Sequence, residues 1–329
     1  MEKLVALALA GSMAIGLAAC GADSASSAAP AQIDGKQNLV LGTGGTEGTY
    51  YAIGNVMADV LNDKLQLSHI TVKSSGASKA NILDIDNGTA QLGTVQNDVM
   101  YYAYTGTDLF QDEGEIESFS AVASLYNETV QIVTCDSSIQ TVADLKGKAV
   151  SVGAENSGVE FNAEQILAAY DLSFADIKAV HADFAESAKD LETGKIDAAF
   201  VVAGIPTAAI VELATSRSIR LVQLDTEHIA KLQSEYNFYT ETTVPAGTYT
   251  GMEDNTTTVA VRAVLVAGND VSEDAVYELT KALFENQPKL ASEHTKFELL
   301  KLEDATLGIG TPFHDGAAKY YAEQGINVG

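Results

Sequence analysis

The chain of 329 residues carries 45 acidic and 19 basic side chains, which gives a formal net charge of -26 at pH 7. So acidic a surface disfavours binding to nucleic acid and charge-driven adhesion to anionic membranes. Arginine occurs only at Arg217, Arg220 and Arg262, so a bidentate guanidinium clamp for an anion is not obviously supplied. An anionic ligand would have to be held locally, by backbone N–H groups and hydroxyls.

The first twenty residues predict export. Lys3 precedes an apolar or small stretch from Leu4 to Leu17, which is too short to span a bilayer comfortably, and L-A-A-C ends this segment at Cys20. The ending resembles a bacterial lipobox. We expect residues 1–19 to be a lipoprotein signal peptide and Cys20 to be lipidated, which would anchor the protein to the periplasmic or extracellular face of the membrane. An ordinary signal peptide with an incidental cysteine is the alternative.

The next segment, residues 20–36, is rich in Ala, Ser, Asp and Gly and predicts a disordered tether. The folded part should therefore begin near Gln37. With Cys20 lipidated, Cys135 is the only other cysteine, so no intramolecular disulfide is expected. Cys135 ends an apolar run and is interpreted as a core residue.

A glycine- and threonine-rich loop opens the folded part. The apolar residues 39–41 are followed by G-T-G-G-T-E-G-T-Y-Y at residues 42–51, and a helical pattern begins at Ala52. Such a loop presents backbone N–H groups at a helix N-terminus, where anions bind. It is not a phosphate loop, because no Lys-Ser/Thr follows the glycines, and Glu47 replaces the third glycine of a dinucleotide motif. Ordinary turn chemistry is the alternative.

Apolar runs and helical periodicity alternate through the rest of the chain, which predicts two α/β lobes with mainly parallel sheets. The predicted strands are residues 39–41, 69–73, 90–95, 130–134, 149–153, 178–181, 197–202, 220–223 and 258–266. The predicted helices are residues 52–63, 78–87, 159–170, 186–193 and 206–214, with two more beginning near 97 and after the N-cap Ser272. Residues 86–93 and 192–199 share a helix end, a glycine and a strand start, which supports duplication of one unit.

Polar loops follow five of the predicted strands: residues 43–51, 74–78, 96–98, 154–158 and 203–206. Ligands of open α/β sheets bind beyond the carboxyl ends of the strands, so these loops should face one another across a cleft. Each Ser or Asn in them also has a simpler interpretation as a helix cap.

No catalytic or metal-binding pattern accompanies these loops. The five histidines, His69, His181, His228, His294 and His314, lack metal-ligand spacing. Neither a G-x-S-x-G nor an H-E-x-x-H motif is present. We therefore predict a binding protein that is not an enzyme and uses no cofactor or metal.

The chain resembles the TAXI family, the substrate-binding proteins of tripartite ATP-independent periplasmic (TRAP) transporters. The segments that carry the resemblance, at residues 41–51, 72–81, 143–158 and 194–206, read LGTGGTEGTYY, VKSSGASKAN, ADLKGKAVSVGAENSG and GKIDAAFVVAGIP, with weaker matches at residues 244–249 and 313–321. The resemblance covers the chain from about Leu39 to its C-terminus. One departure is the loop E-N-S-G at residues 155–158, where Glu155 could repel a carboxylate or pair with an amine.

This resemblance implies a type II periplasmic-binding-protein fold, with two α/β lobes joined by two crossover strands and the ligand cleft between them. We expect crossovers near residues 130–134 and 238–243, lobe one at residues 37–130 and 243–329, and lobe two at residues 131–242. The resemblance also implies delivery of glutamate, glutamine or a related dicarboxylate to a TRAP permease driven by an ion gradient. A ligand-sensing partner of a membrane receptor or sensor kinase is the alternative.

The expected ligand is a small amino acid or carboxylate held between the lobes by strand-end residues. Tyr50, Tyr51 and Tyr249 could wall the pocket, unless one or two of them belong to the core, and Asp98 or Glu155 could hold an ammonium group. The predicted ligand-binding residues are Gly45, Thr46, Thr49, Tyr50, Tyr51, Ser74, Gly76, Ser78, Gln96, Asp98, Asn156, Ser157, Gly158, Ala203, Gly204 and Tyr249.

Overall fold

A computed structural model describes residues 32–328. The predicted signal peptide, the lipidation site Cys20 and most of the predicted tether lie outside the described residues. The strands are β1 (Gln32–Ile33), β2 (Lys36–Gly42), β3 (Ser68–Lys73), β4 (Leu92–Gln96), β5 (Phe119–Thr134), β6 (Ala149–Ser151), β7 (Lys178–Val180), β8 (Ala198–Ala203), β9 (Arg220–Val222), β10 (Thr240–Val244) and β11 (Thr256–Gly268).

The helices lie mainly in the connections between these strands. They are α1 (Thr49–Leu61), α2 (Ser78–Asp86), α3 (Asn97–Thr105), α4 (Gly158–Ala169), α5 (Phe184–Thr193), α6 (Ala208–Ser216), α7 (Thr226–Glu235), α8 (Glu273–Glu285), α9 (Gln287–Glu293) and α10 (Asp315–Glu323). Most predicted elements are present within a few residues of their expected ends. The start of α1 differs from the prediction in a way that affects the site. The helix begins at Thr49 rather than Ala52, which places Thr49, Tyr50 and Tyr51 in its first turn.

Two α/β lobes share one arrangement. In the first lobe β2 pairs in parallel with β3 and β4, and in the second β6 pairs in parallel with β7 and β8. The strands form one continuous sheet, and separate cores lie against its two parallel parts, the first around Leu39, Ile53 and Met57 and the second around Ile166 and Phe200. Each lobe therefore buries much of its apolar surface within itself, while Phe161 and Phe238 of the second lobe also pack against first-lobe residues around Tyr102.

The antiparallel strands β5 and β11 connect the lobes. β11 pairs with β4 of the first lobe through residues 263–267 and with β10 through residues 256–260. β5 pairs with β8 of the second lobe through residues 129–134, and its first half pairs with the first-lobe part of β11. A strand of 13 residues rises roughly 40 Å, enough to pass through both lobes.

The predicted second crossover at residues 238–243 is therefore wrong. This segment forms β10, a short, largely polar strand paired only with β11. The crossing is made instead by the long apolar run predicted as a strand at residues 258–266. The boundary at residue 243 moves with it, because Val244 and Tyr249 pack with Val133 and Leu221 in the second lobe.

The described residues include a strand that begins at Gln32, five residues before the predicted start of the folded part at Gln37. Gln32 and Ile33 pair with Gln37 and Lys36 across a tight turn at Asp34 and Gly35. Both turn residues have positive φ, 52° and 81°, as a two-residue Asp-Gly hairpin requires. This turn signal lay within the segment predicted as tether. Across residues 32–328, no helix combines the length and the apolar character that a bilayer span needs.

Candidate ligand-binding cavity

A cavity of about 70 Å³ lies between the two lobes, at the carboxyl ends of the parallel strands. The loops after β2, β3 and β4 supply one side, and those after β6, β7 and β8 supply the other. Its lining residues are Gly44, Gly45, Gly48, Thr49, Tyr50, Ser75, Gly76, Ala77, Ser78, Gln96, Glu128, Ala154, Ser157, Gly158, Val159, Asp183, Phe184, Val202 and Ala203. This volume suits a small solute rather than a nucleotide or an oligosaccharide.

Five helix N-termini converge on the cavity. The N-cap residues of α1 to α5 are Gly48, Ala77, Gln96, Ser157 and Asp183, and all five line it. Each N-terminus carries the equivalent of roughly half a positive charge on unpaired backbone N–H groups. Five helix dipoles therefore direct their positive ends at the cavity in a chain of strongly negative net charge.

The two lobes differ in how these N-termini are capped. In the second lobe the Ser157 hydroxyl accepts from the Glu160 amide at 3.2 Å, and the Asp183 carboxylate accepts from the Glu186 amide at 2.8 Å. The N-cap residues of α1 and α2 in the first lobe make no side-chain cap bond, whereas at α3 the Asp98 carboxylate accepts from the Val99 amide at 2.9 Å. The first turns of α1 and α2 thus offer the amides that are free to bind an anionic group.

A buried carboxyl closes the floor of the cavity. Glu128 on β5 is 2% exposed, and its Oε2 accepts a hydrogen bond from the Tyr50 hydroxyl at 2.5 Å. The Tyr126 hydroxyl lies 3.4 Å from its other oxygen. Burial raises the pKa of Glu128 to about 8, although the bonds from Tyr50 and Tyr126 oppose the rise. Glu128 is therefore mostly neutral at pH 7 and does not repel an anion beside it.

Gln96 lines the cavity and carries a buried hydrogen-bond acceptor without a partner. Its side chain is 2% exposed and its Oε1 has no hydrogen-bond partner. Gln96 also bonds to Glu128 through its side chain and lies against Gly158 of the opposite lobe. A buried acceptor without a donor costs about 1–3 kcal/mol, which a ligand N–H group would recover.

The second lobe contributes one charged wall residue. Asp183 Cβ would lie 3.6 Å from a Cβ atom built on Gly45, so the two lobes are in close contact here. Phe184, the next residue, covers Gly48 from the same side. No cation lines the cavity among the described residues, and none of their His, Cys, Asp and Glu side chains form a group suited to a metal ion.

The family of this chain follows from its sequence. The model described as the NMT1-like family matches residues 41–325. The chain belongs to the NMT1-like family. This match spans both lobes and every loop that lines the cavity.

Solved structures similar to this NMT1-like chain establish its fold. PhnD1 from Prochlorococcus marinus, in complex with methylphosphonate, is 13% identical with a TM-score of 0.53, over 79% of this chain and 90% of that chain. A protein from Bordetella bronchiseptica RB50 is 15% identical with a TM-score of 0.53, over 87% and 88%. A structure described as a periplasmic transporter is 13% identical with a TM-score of 0.51, over 87% and 92%. The predicted type II periplasmic-binding-protein fold, with two lobes and the cleft between them, is confirmed.

The structure brings nine of the predicted ligand-binding residues together in the cavity. They are Gly45, Thr49, Tyr50, Gly76, Ser78, Gln96, Ser157, Gly158 and Ala203. Ser78 is the first residue of α2 rather than its N-cap, and its hydroxyl accepts from the Gln96 amide at 3.1 Å. The first-lobe and second-lobe loops therefore face one another as expected from their positions after strands.

The other seven lie outside the cavity lining, for separate reasons. Thr46, Ser74 and Asn156 are exposed at the surface, and Tyr51 is half-buried on another face of α1. Gly204 lies one residue beyond the wall. Two further predicted residues are buried in protein. Asp98 accepts from Asn162 at 2.9 Å, and burial raises its pKa to about 6. Tyr249 is a core residue of the second lobe whose hydroxyl bonds to Thr207 and Gln131, so it does not wall the pocket.

Four lining residues whose side chains could contact a ligand were not predicted: Ser75, Glu128, Asp183 and Phe184. A signal for Glu128 was present, since it is the one acid within the long strand β5. Asp183 and Phe184 follow β7, so the rule applied to the other strand ends would have found them. Ser75 replaces Ser74, but its hydroxyl is already bonded to the Thr43 carbonyl and the Asn81 side chain, so its role is to hold the loop.

Backbone strain marks the N-cap of α2. Ala77 has φ 68° and ψ -145°, a conformation that glycine adopts and other residues rarely do. Ala77→Gly should therefore stabilise the protein by about 1 kcal/mol, because the strain relieved exceeds the added chain entropy. Ala80→Gly, in the interior of the same helix, should destabilise it by about 1 kcal/mol. Urea unfolding of both variants checks the pair, and destabilisation by Ala77→Gly would contradict the strain.

Proposed function

We propose that this NMT1-like protein is an extracytoplasmic solute receptor that captures a small carboxylate between its lobes. The observation that carries the proposal is the convergence of five helix N-termini on one interlobe cavity, with those of α1 and α2 uncapped. The fold supports it, because closure of two lobes buries a ligand completely and thereby strengthens each hydrogen bond made to it.

The polarity of the cavity favours one orientation of the ligand. Its carboxylate accepts hydrogen bonds from the first-turn amides of α1 and α2, with the hydroxyls of Thr49 and Ser78 nearby. Each such charge-assisted bond contributes roughly 1.5–3 kcal/mol. At the other end, Gln96 Oε1 and the carboxyls of Glu128 and Asp183 accept bonds from an ammonium group.

An amino acid therefore suits the site better than a dicarboxylate without an amine. A ligand such as glutamate or glutamine supplies the N–H donors that Gln96 Oε1 lacks, whereas 2-oxoglutarate and succinate leave that acceptor unpaired. Sites built to bond a donor reject analogues without it strongly. Glu155 lies at the exposed rim outside the lining, so it takes no part in this arrangement.

The partners follow from the TAXI resemblance. The segments that carry it at residues 41–51, 72–81, 143–158 and 194–206 contain most of the residues that line the cavity. We propose that the closed, loaded receptor delivers its ligand to a TRAP permease driven by an ion gradient. A lipid on Cys20 would keep the receptor at the periplasmic or extracellular face of the membrane. Nucleic acid is not a proposed partner.

Titration calorimetry of the mature protein tests the substrate class. L-glutamate, L-glutamine, 2-oxoglutarate and succinate form the panel. We expect one-site binding of at least one of the two amino acids, at least about 100-fold tighter than that of the two compounds without an amine. Equal affinity for glutamate and 2-oxoglutarate would remove the ammonium assignment, and no heat from any of the four would contradict the substrate class.

A further inference from the structure

A buried lysine from the first lobe reaches across the cleft beside the cavity. Lys296 is 8% exposed and lies in the short 3₁₀ turn Thr295–Leu299. The turn is fixed to the first lobe, because its Phe297 is buried in that core and the Lys296 amide donates to His294 Nδ1 at 3.2 Å. The side chain of Lys296 points away from this anchor.

The partner of the Lys296 ammonium belongs to the second lobe. Its Nζ donates a hydrogen bond to the Ile205 carbonyl, in the loop directly after β8. The stem packs on Gly204, where an added Cβ would come within 2.7 Å of Lys296 Cε. Thr49 of the first lobe also donates to the Gly204 carbonyl, at 3.4 Å. Two first-lobe side chains thus bind adjacent carbonyls of one second-lobe loop.

The Lys296 ammonium is largely shielded from water in this contact. Burial lowers the pKa of Lys296, while the carboxyl of Glu128 at the cavity floor acts in the opposite direction. His294, two residues earlier, lies beside Lys296, and burial together with the charge of Lys296 lowers the pKa of the histidine. When the lobes separate, water replaces the carbonyl as partner of the ammonium, and the contact is lost as a unit.

We propose that Lys296 is a positioning residue that latches the loop after β8 to the first lobe and so sets how long a bound solute stays. The assignment rests on the proposed receptor function for its biological meaning, but the latch itself is a property of the ligand-free chain. Gly204 is the matching element, since only a residue without a Cβ lets the lysine stem pass between the loop and Thr49.

Lys296→Met tests the latch, because methionine keeps the apolar stem and removes the ammonium. Its control is Lys301→Met, at an exposed lysine in the same segment of the first lobe. Without any ligand, amide hydrogen exchange at residues 203–207 and 45–50 should become at least about tenfold faster in Lys296→Met and stay unchanged in Lys301→Met. Unchanged exchange in Lys296→Met would overturn the proposal.

Gly204→Ala tests the same latch from the second lobe, and its hydrogen exchange decides whether the latch exists if Lys296→Met does not fold. Its methyl displaces the lysine stem, so exchange at the same two segments should again accelerate; failure to do so would also overturn the latch. With a bound amino acid, both variants should raise the dissociation rate about tenfold and change the association rate less than about threefold. If no solute of the panel binds, the receptor proposal fails while the exchange result still decides the latch.

Discussion

Gly158→Val should weaken ligand binding by about 100-fold while both lobes remain folded. Gly158 is the first residue of α4, and a Cβ at this position would overlap Gln96 Oε1 and come within 2.7 Å of Gln96 Cδ and 3.0 Å of Val99 Cγ2. Both neighbours belong to the first lobe. The valine side chain therefore acts as a wedge between lobes rather than as a defect within a core.

The size of the effect follows from overpacking. Forcing extra carbon atoms into a packed site costs typically 1–3 kcal/mol, and 3 kcal/mol corresponds to about 100-fold in affinity. Gln96 cannot move aside freely, because it is buried and bonded to Glu128. Gly45→Ala is the matched control: its methyl would lie 3.6 Å from Asp183 Cβ, an ordinary contact across the same cleft.

Titration calorimetry with the tightest ligand of the panel measures the affinity of each variant, and thermal unfolding measures its stability. We expect the melting temperature of Gly158→Val to stay within a few degrees of the parent and that of Gly45→Ala to match it, while only the valine variant loses affinity. Equal affinity in Gly158→Val and the parent would place the ligand outside this cleft.

Glu128→Gln should make the protein markedly more stable at pH 8 and leave its stability at pH 5 little changed. The folded protein holds a proton on Glu128 up to about pH 8, whereas the unfolded chain releases it near the ordinary value of 4.5. Unfolding therefore releases a proton between these two values. Stability contributed by Glu128 is present below pH 4.5, falls as the pH rises towards 8, and changes no further above that.

The glutamine variant lacks this pH-dependent loss of stability, because its side chain is neutral at every pH and has nearly the shape of the protonated acid. Its amide oxygen can accept the bond from the Tyr50 hydroxyl, and it carries no charge to desolvate. Between pH 5 and pH 8 the parent should lose on the order of 3 kcal/mol more than the variant, a difference of about 5 °C in melting temperature for a fold of this size. Asp98, whose pKa burial raises to about 6, titrates in the same direction in both proteins.

Differential scanning calorimetry at pH 5 and pH 8 separates this effect from the general repulsion of an acidic chain. Glu298→Gln removes one charge at an exposed position of the first lobe and should change stability by less than about 0.5 kcal/mol at either pH. A gain in Glu128→Gln that is the same at pH 5 and pH 8 would show that the carboxyl is charged in the fold.

Local sequence patterns predicted the parallel strands and the cleft-forming loops well. Apolar runs bounded by turn residues located β2, β3 and β6 to β8, and of the two expected cap residues Ser157 and Asn156 it is Ser157 that caps α4. The loop at residues 42–51 was recognised because glycine and threonine after a strand are a local signal. These features depend on neighbours within a few residues, which is the range over which a sequence is informative.

The features that were missed depend on distant contacts. Glu128 becomes a floor residue only through Tyr50, which lies 78 residues earlier, and Lys296 reaches a carbonyl 91 residues away. Which of the neighbouring residues Ser74 and Ser75 lines the cavity depends on the exact path of the loop after β3. Tyr249 is an aromatic residue after a glycine turn, which is equally typical of a pocket wall and of a core. Only packing decides between such pairs.

In the proposed receptor, an anionic group of the solute binds the uncapped N-termini of α1 and α2 in the first lobe, inside the interlobe cavity. A crystal structure of the protein with its tightest ligand tests this most directly. We expect a carboxylate within hydrogen-bond distance of the first-turn amides of α1 and α2, with an amine directed at Gln96 Oε1. Ligand density outside the cavity, or a carboxylate directed at Glu128 and Asp183, would contradict it.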